Sequence, residues 1–149
     1  MYMHHAMSPA APSASCACTT LRKASRAVGR VYDEALAGFG MTTAQFAILR
    51  HVARAEPVPL SRLAERLVMD RTSLYRALAP IERQGWLTIQ PGPGKARLAS
   101  LTGSGRDAMT SAEAGWAEVQ RRIVGAMGER QWSDLEVALR ALTDLARHA

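Results

Sequence analysis

The stretch "LVMDRTSLYRALAPIERQGW", residues 67–86, decides the fold. Leu74, Ala77, Leu78 and Ile81 recur three and four residues apart, the period of one buried helix face. Arg71, Thr72, Tyr75 and Arg76 then project from the opposite side, with Ser73 at the margin. Asp70 stands where a carboxylate accepts the free amide hydrogens of a first turn. Pro80 removes one backbone hydrogen bond and predicts a bend beyond the outward-facing half of the helix.

Reading outward from this helix gives the rest. "LSRLAERL", residues 60–67, is a short helix with Leu60, Leu63, Ala64 and Leu67 inward, and Val68 to Asp70 form the tight turn that follows. After Trp86 the period becomes two. Leu87 and Ile89 alternate with Thr88 and Gln90, Pro91-Gly92-Pro93-Gly94 breaks the chain, and alternation resumes through Lys95, Arg97, Leu98 and Leu101. Helix, turn, helix and hairpin make a winged helix-turn-helix. Upstream, a helix from Thr20 carries Leu21, Ala24, Val28, Val31 and Leu36 on one face and ends at Gly38 and Gly40. Thr42 and Gln45 form a capping box that opens a second helix through Phe46, Leu49 and Val52. Downstream, Met109, Ala112, Trp116, Val119, Ile123 and Met127 mark a long helix from Thr102, and Trp132, Leu135, Leu139, Leu142 and Leu145 mark a last one.

The expected class is therefore mainly α (α+β), in the order α-α-α-α-β-β-α-α. Residues 1–18 read as an Ala/Pro/Ser-rich disordered tail, 19–56 as supporting helices, 57–101 as the winged lobe and 102–149 as C-terminal helices. The outer helices are too apolar on one face to stand alone; they pack on each other or on a second copy.

The 149 residues hold 19 Lys and Arg against 13 Asp and Glu, a net charge of +6 that favours polyanionic partners. Seven basic residues and three acidic ones lie between Leu60 and Leu101, so +4 of that excess sits in the winged lobe. No apolar run is long enough to span a membrane, and no leader segment is visible. Two close cysteines do not make a secreted disulfide framework, so a cytoplasmic protein is expected. The acidic residues are scattered, with no Gly-rich phosphate loop and no His-x-x-x-His, so an enzyme is not expected. In a helix-turn-helix the second helix enters the major groove of DNA. Arg pairs with guanine, hydroxyls bond bases or phosphates, and Tyr reaches a phosphate or a thymine methyl. Arg71, Thr72, Ser73, Tyr75 and Arg76 are the candidate contacts to double-stranded DNA. A winged helix that binds protein instead would carry acidic or apolar residues on this face.

With "LSRLAERLVMDRTSLYRALAPIERQGWL" and "ARLASLTGSGRDAM" in view, the chain resembles the MarR family of bacterial transcription regulators over residues 20–147. The resemblance implies a homodimer held by the terminal helices, pseudo-palindromic operators, and control by a small phenolic or aromatic acid or by oxidation. Repression is the expected sign. Two positions depart from the family pattern. Val68 stands where the turn usually has Gly, so a different backbone is expected there. Pro93-Gly94-Lys95 replaces the wing's usual Asp-x-Arg, leaving Lys95 to enter the minor groove and shifting wing contacts toward Arg97. For an aromatic acid, Arg22, Arg26, Arg30, His51 and Trp116 are candidates by residue type.

The spacing of Cys18 to Leu21 and to Ser25-Arg26 looks like that around the reactive cysteine of the organic-hydroperoxide-sensing branch, and Tyr32 matches a tyrosine that supports it there. Arg22 replaces a second supporting tyrosine. A guanidinium one turn away and a helix N-terminus would activate Cys18, with Cys16 as resolving thiol, within the chain or, as Cys-x-Cys bonds are strained, rather between subunits. The alternatives are two inert cysteines at a fraying helix start, or a metal held with His4 or His5. No cofactor is expected, and no metal site is assigned.

Overall fold

The computed structural model describes residues 15–149; the expectations for the first fourteen residues, including His4 and His5, lie outside the described residues. Six helices and three short strands follow one another: α1 (Ala17–Ala37), α2 (Thr43–Ala55), β1 (Val58–Pro59), α3 (Leu60–Leu67), α4 (Arg71–Arg83), β2 (Leu87–Pro91), β3 (Arg97–Leu101), α5 (Gly103–Met127) and α6 (Glu129–Arg147). The winged helix-turn-helix is present, mainly helical with a small antiparallel sheet. One strand was not expected. β1 is two residues long, too short to alternate visibly, and it adds to β3 by pairing Val58 with Ala99 and Pro59 with Leu98. The sheet order is β1-β3-β2, with the wing formed by β2 and β3 in register from Leu87↔Leu101 to Pro91↔Arg97.

Local chemistry sets each boundary. Thr42 and Gln45 exchange both capping-box hydrogen bonds at the start of α2. α3 ends in a Schellman turn: the Met69 amide donates to the Ala64 carbonyl and the Val68 amide to Glu65. Val68 takes the left-handed conformation itself, at φ 55°, so the backbone keeps the glycine-like turn without the glycine. A β-branched residue there is strained. Gly85, at φ 77°, closes α4 in the same way, and Trp86 folds back toward Ile81. Helix α4 runs unbroken through Pro80.

One apolar core joins α2, α3, α4, the sheet and the start of α5, with Phe46, Leu49, Leu63, Leu74, Leu78, Ile81 and Ala99 at its centre. It crosses the boundaries expected near residues 56 and 101. Gly105 is fixed by a close approach: a Cβ there would lie 1.9 Å from the Trp86 carbonyl oxygen. Thr102 anchors the same corner, donating to the Gly85 carbonyl and capping the Gly105 amide. These contacts seat α5 against the root of the wing.

The terminal helices differ. Every residue of α1 from Ala17 to Val28 is exposed, and α6 buries no residue. Leu21, Val28, Leu135, Leu142 and Leu145 face outward. Among the described residues no helix is long and apolar enough to cross a membrane.

Candidate nucleic-acid interface

Leu74, Leu78 and Ile81 are buried in the core, which fixes the rotation of α4 and turns Arg71, Thr72, Ser73, Tyr75 and Arg76 to solvent. Arg71 and Tyr75 line a polar cleft of about 110 Å³ with Lys95, Ala96 and Arg97 of the wing and Pro59, Leu60 and Ser61 at the start of α3. Candidate residues from two separate stretches of chain thus meet at one surface. Thr72, Ser73 and Arg76 are exposed but do not line this cleft. Sequence reasoning missed Ser61, a hydroxyl at the head of a helix whose inward leucines drew the attention.

The wing tip is a tight turn. The Gly92 amide donates to the Ala96 carbonyl, the Ala96 amide to Pro93, and Gly94 supplies the positive φ of 63° that the turn requires. This turn sets Lys95 beside Arg97 without the Asp-x-Arg element. Among the described residues the ion pairs are Glu56–Arg106 and Glu136–Arg140, so Arg71, Arg76, Lys95 and Arg97 have no acidic partner there.

Two features of the α4 N-terminus alter the expected chemistry. Asp70 caps it: Oδ1 accepts from the Ser73 amide at 2.7 Å and Oδ2 from the Ser73 hydroxyl at 2.9 Å. Those two bonds hold the Asp70 carboxyl below its ordinary pKa and keep it charged. The protein's own carboxylate therefore occupies part of the anion site that a free helix N-terminus would offer a phosphate. Ser73 has also committed its proton. It keeps only acceptor lone pairs, suited to a cytosine or adenine amino group and not to a phosphate.

Between α2 and α5 lies a second cleft, of about 130 Å³, lined by Thr43, Phe46, Ala47, Arg50, His51, Arg54 and Trp116. Arg50 stacks 4.3 Å from the centroid of the Trp116 ring, which tilts against Phe46. The Thr43 hydroxyl is buried without a hydrogen-bond partner, and His51 Nδ1 lies 2.7 Å from the Ala47 carbonyl. His51 and Trp116 come together as the sequence suggested. Arg50 and Arg54 were overlooked; their spacing of four along α2 was the available signal. Arg22, Arg26 and Arg30 lie on the exposed part of α1 and do not line this cleft.

The cysteines also sit differently. α1 begins at Ala17, so Cys16 is its N-cap residue and Cys18 lies in the first turn; both are free and exposed. The Thr19 amide and hydroxyl and the Cys18 amide hold the Cys16 thiol below its ordinary pKa, although no cap hydrogen bond is formed. Cys16 is the thiol given the resolving role from sequence. Tyr32 is buried, which raises its pKa, and its hydroxyl donates to Gln120 Oε1 of α5. Fourteen residues of helix put it about 21 Å along the axis from Cys18, so the two do not touch within one chain. No group of three His, Cys, Asp or Glu that could hold a metal is found among the described residues.

The sequence pattern of the MarR family matches residues 39–98, the second helix through the wing. The transcriptional regulator MosR of M. tuberculosis, solved in complex with DNA, is 31% identical, superposes with a TM-score of 0.84, and the match covers 90% of this chain and 98% of that one. The chain belongs to the MarR family. An uncharacterized HTH-type transcriptional regulator of Bacillus cereus is 30% identical over 80 residues, 54% of each protein, so the match spans about half the length of such curated relatives. A variant of E. coli MarR complexed with operator DNA shares the fold, at a TM-score of 0.76 and 21% identity over 84% of this chain and 91% of that one. These relatives of the MarR-family chain are transcriptional regulators, not enzymes.

Proposed function

We propose that this MarR-family protein is a cytoplasmic, homodimeric, DNA-binding repressor of a pseudo-palindromic operator, released by a small aromatic acid. The observation that carries the reading is the cleft where Arg71 and Tyr75 of α4 meet Lys95 and Arg97 of the wing, its cations having no acidic partner among the described residues. A surface of donors suits a groove of phosphate oxygens and base acceptors. α4 lies in the major groove, with Arg71 and Arg76 reading guanine or phosphate, and Lys95 reaches the flanking minor groove. MosR, similar over nearly its whole length, was solved on DNA, which supports the reading. The apolar residues left outward on α1 and α6 support a second copy as their cover. The cleft between α2 and α5 supplies two guanidiniums for a carboxylate and an aromatic wall for a ring.

A fluorescence-anisotropy titration with DNA from upstream of the protein's own gene, in the presence of unrelated competitor, tests this. Wild type binds specifically, and Arg71→Ala weakens binding by roughly 1–3 kcal/mol. Equal affinities for wild type and a folded Arg71→Ala variant would remove α4 from the interface.

Cys16 favours a second reading of the release step. Its lowered pKa raises the thiolate fraction, and thiolate is the form that attacks a hydroperoxide. The sulfur takes the terminal oxygen as the O–O bond breaks, giving a sulfenic acid and an alcohol once the alkoxide is protonated. The Cys18 thiol, of the same chain or the second copy, then displaces water to form a disulfide. Organic hydroperoxide releases wild type from DNA under this reading, and Cys16→Ser abolishes the release. Release of the serine variant at the wild-type rate contradicts it.

A further inference from the structure

The sheet has a gap at the root of the wing, and a side chain fills it. β1 pairs with β3 at Val58↔Ala99 and Pro59↔Leu98. Continued back along the same antiparallel register, Glu56 falls opposite Leu101. The backbone cannot continue the ladder, because Glu56 is already the C-cap of α2. Its carboxylate does so instead. Oε2 accepts the Leu101 amide hydrogen at 2.8 Å, and Oε1 pairs with Arg106 in the second turn of α5. The Glu56 side chain is 23% exposed and its bond to Leu101 is partly buried, whereas the Arg106 side chain is half exposed, so the Leu101 bond is the better shielded of the two. One carboxylate thus joins the end of α2, the return strand of the wing and the start of α5.

We infer that Glu56 is a positioning residue for DNA binding, holding the root of the wing so that Lys95 and Arg97 face the same cleft as Arg71. This rests on the DNA-binding reading. The wing leaves the core as two strands, and β3 has only two residues paired with β1. Beyond Ala99, its β1-side edge is held at Leu101 by Glu56. A hydrogen bond to a charged acceptor is about twice as strong as a neutral one, so this bond replaces a missing strand with one side chain. Without it, the strand that begins at Arg97 is free to tilt about its pairing with β2, and the wing cations move relative to α4. α2 also lines the separate cleft against α5 with Arg50, His51 and Arg54, so any shift of its C-terminal end reaches the wing through the same carboxylate.

Three variants test the inference: Glu56→Ala loses both bonds, Glu56→Gln keeps an acceptor for Leu101 but loses the charge pair, and Arg106→Ala loses only that pair. Glu56→Ala weakens operator binding about tenfold and lowers the slope of log affinity against log salt by about one, the signature of a lost cationic contact. Glu56→Gln and Arg106→Ala lose less. In a Lys95→Ala/Arg97→Ala background, Glu56→Ala has no further effect, because the groups it positions are gone. Equal losses in both backgrounds, or no loss in a folded Glu56→Ala variant, overturn the inference. Amide hydrogen exchange without DNA keeps the question separate from the DNA reading. Glu56→Ala, or Glu56→Gln if the alanine variant does not fold, speeds exchange at Leu101 and Gly92 but not at Leu78. Unchanged exchange at Leu101 and Gly92 overturns the inference even if DNA binding is intact, and failure of wild type to bind any DNA defeats the DNA reading alone.

Discussion

The winged lobe and the terminal helices are built from similar amphipathic sequences, yet only the lobe is finished within one chain. In the lobe, α2, α3 and α4 bury most of their apolar stripes, Thr42 and Asp70 cap α2 and α4, and the outward face at the start of α4 is cationic and hydroxylic. In the N-terminal part of α1 and along α6 apolar residues face outward, with Leu145 at 69% and Val28 at 42% exposure. A three- or four-residue repeat reports that a face is meant to be buried; it does not say by which chain. The difference separates a cationic, hydroxyl-bearing surface from an apolar one.

The largest effect that separates the two regions is predicted at Leu78, which has no exposed surface. Leu78→Ala costs about 2–5 kcal/mol of stability, read by denaturant melts. A loss under 1 kcal/mol would mean the lobe core is not where the structure has it. The matching change in α6, Leu135→Glu with Leu142→Glu, leaves the lobe folded but costs on the order of 2–3 kcal/mol of association by placing charges in an apolar interface. Analytical ultracentrifugation then finds a dimeric wild type and a monomeric variant; a dimeric variant breaks the comparison.

Val68 sharpens it at a smaller scale, as a defect inside the finished region. Val68→Gly relieves a left-handed β-branched residue and stabilises the protein by about 1 kcal/mol in thermal or chemical denaturation. A destabilised variant would mean that the valine side chain offsets its own strain. The smallest effect concerns Glu56. Its enclosure raises the pKa, but the Leu101 amide and then Arg106 outweigh this, so the folded value lies below the ordinary 4.5. The contribution is therefore full above the ordinary value and is lost as pH falls through the lowered folded one. Stability of wild type relative to Glu56→Gln falls as pH drops through and below the ordinary 4.5, and a flat difference contradicts the assignment.

Features legible in the sequence were those that span few residues. The Thr42–Gln45 box, the Asp70 cap and the buried face of α4 each depend on neighbours within one or two turns, and each lies where the sequence put it. The hydrogen bond from the Ser73 hydroxyl to Asp70 was not legible, because a hydroxyl in a first turn does not announce its partner. Features that join distant residues left no periodic trace. Glu56 meets Leu101 and Arg106 across 45 and 50 positions, and Arg50 meets Trp116 across two helices. β1 is too short to carry a pattern. α1 begins at Ala17, three residues before the expected Thr20, which makes Cys16 its N-cap residue.

The central claim is that two copies set their α4 helices in successive major grooves with a wing beside each. A DNase footprint on DNA upstream of the protein's own gene tests it most directly. The account predicts two protected half-sites related by two-fold symmetry, with centres about 10 base pairs or a multiple of that apart. A single unsymmetrical protected stretch, or no protection at concentrations that saturate binding, would contradict it.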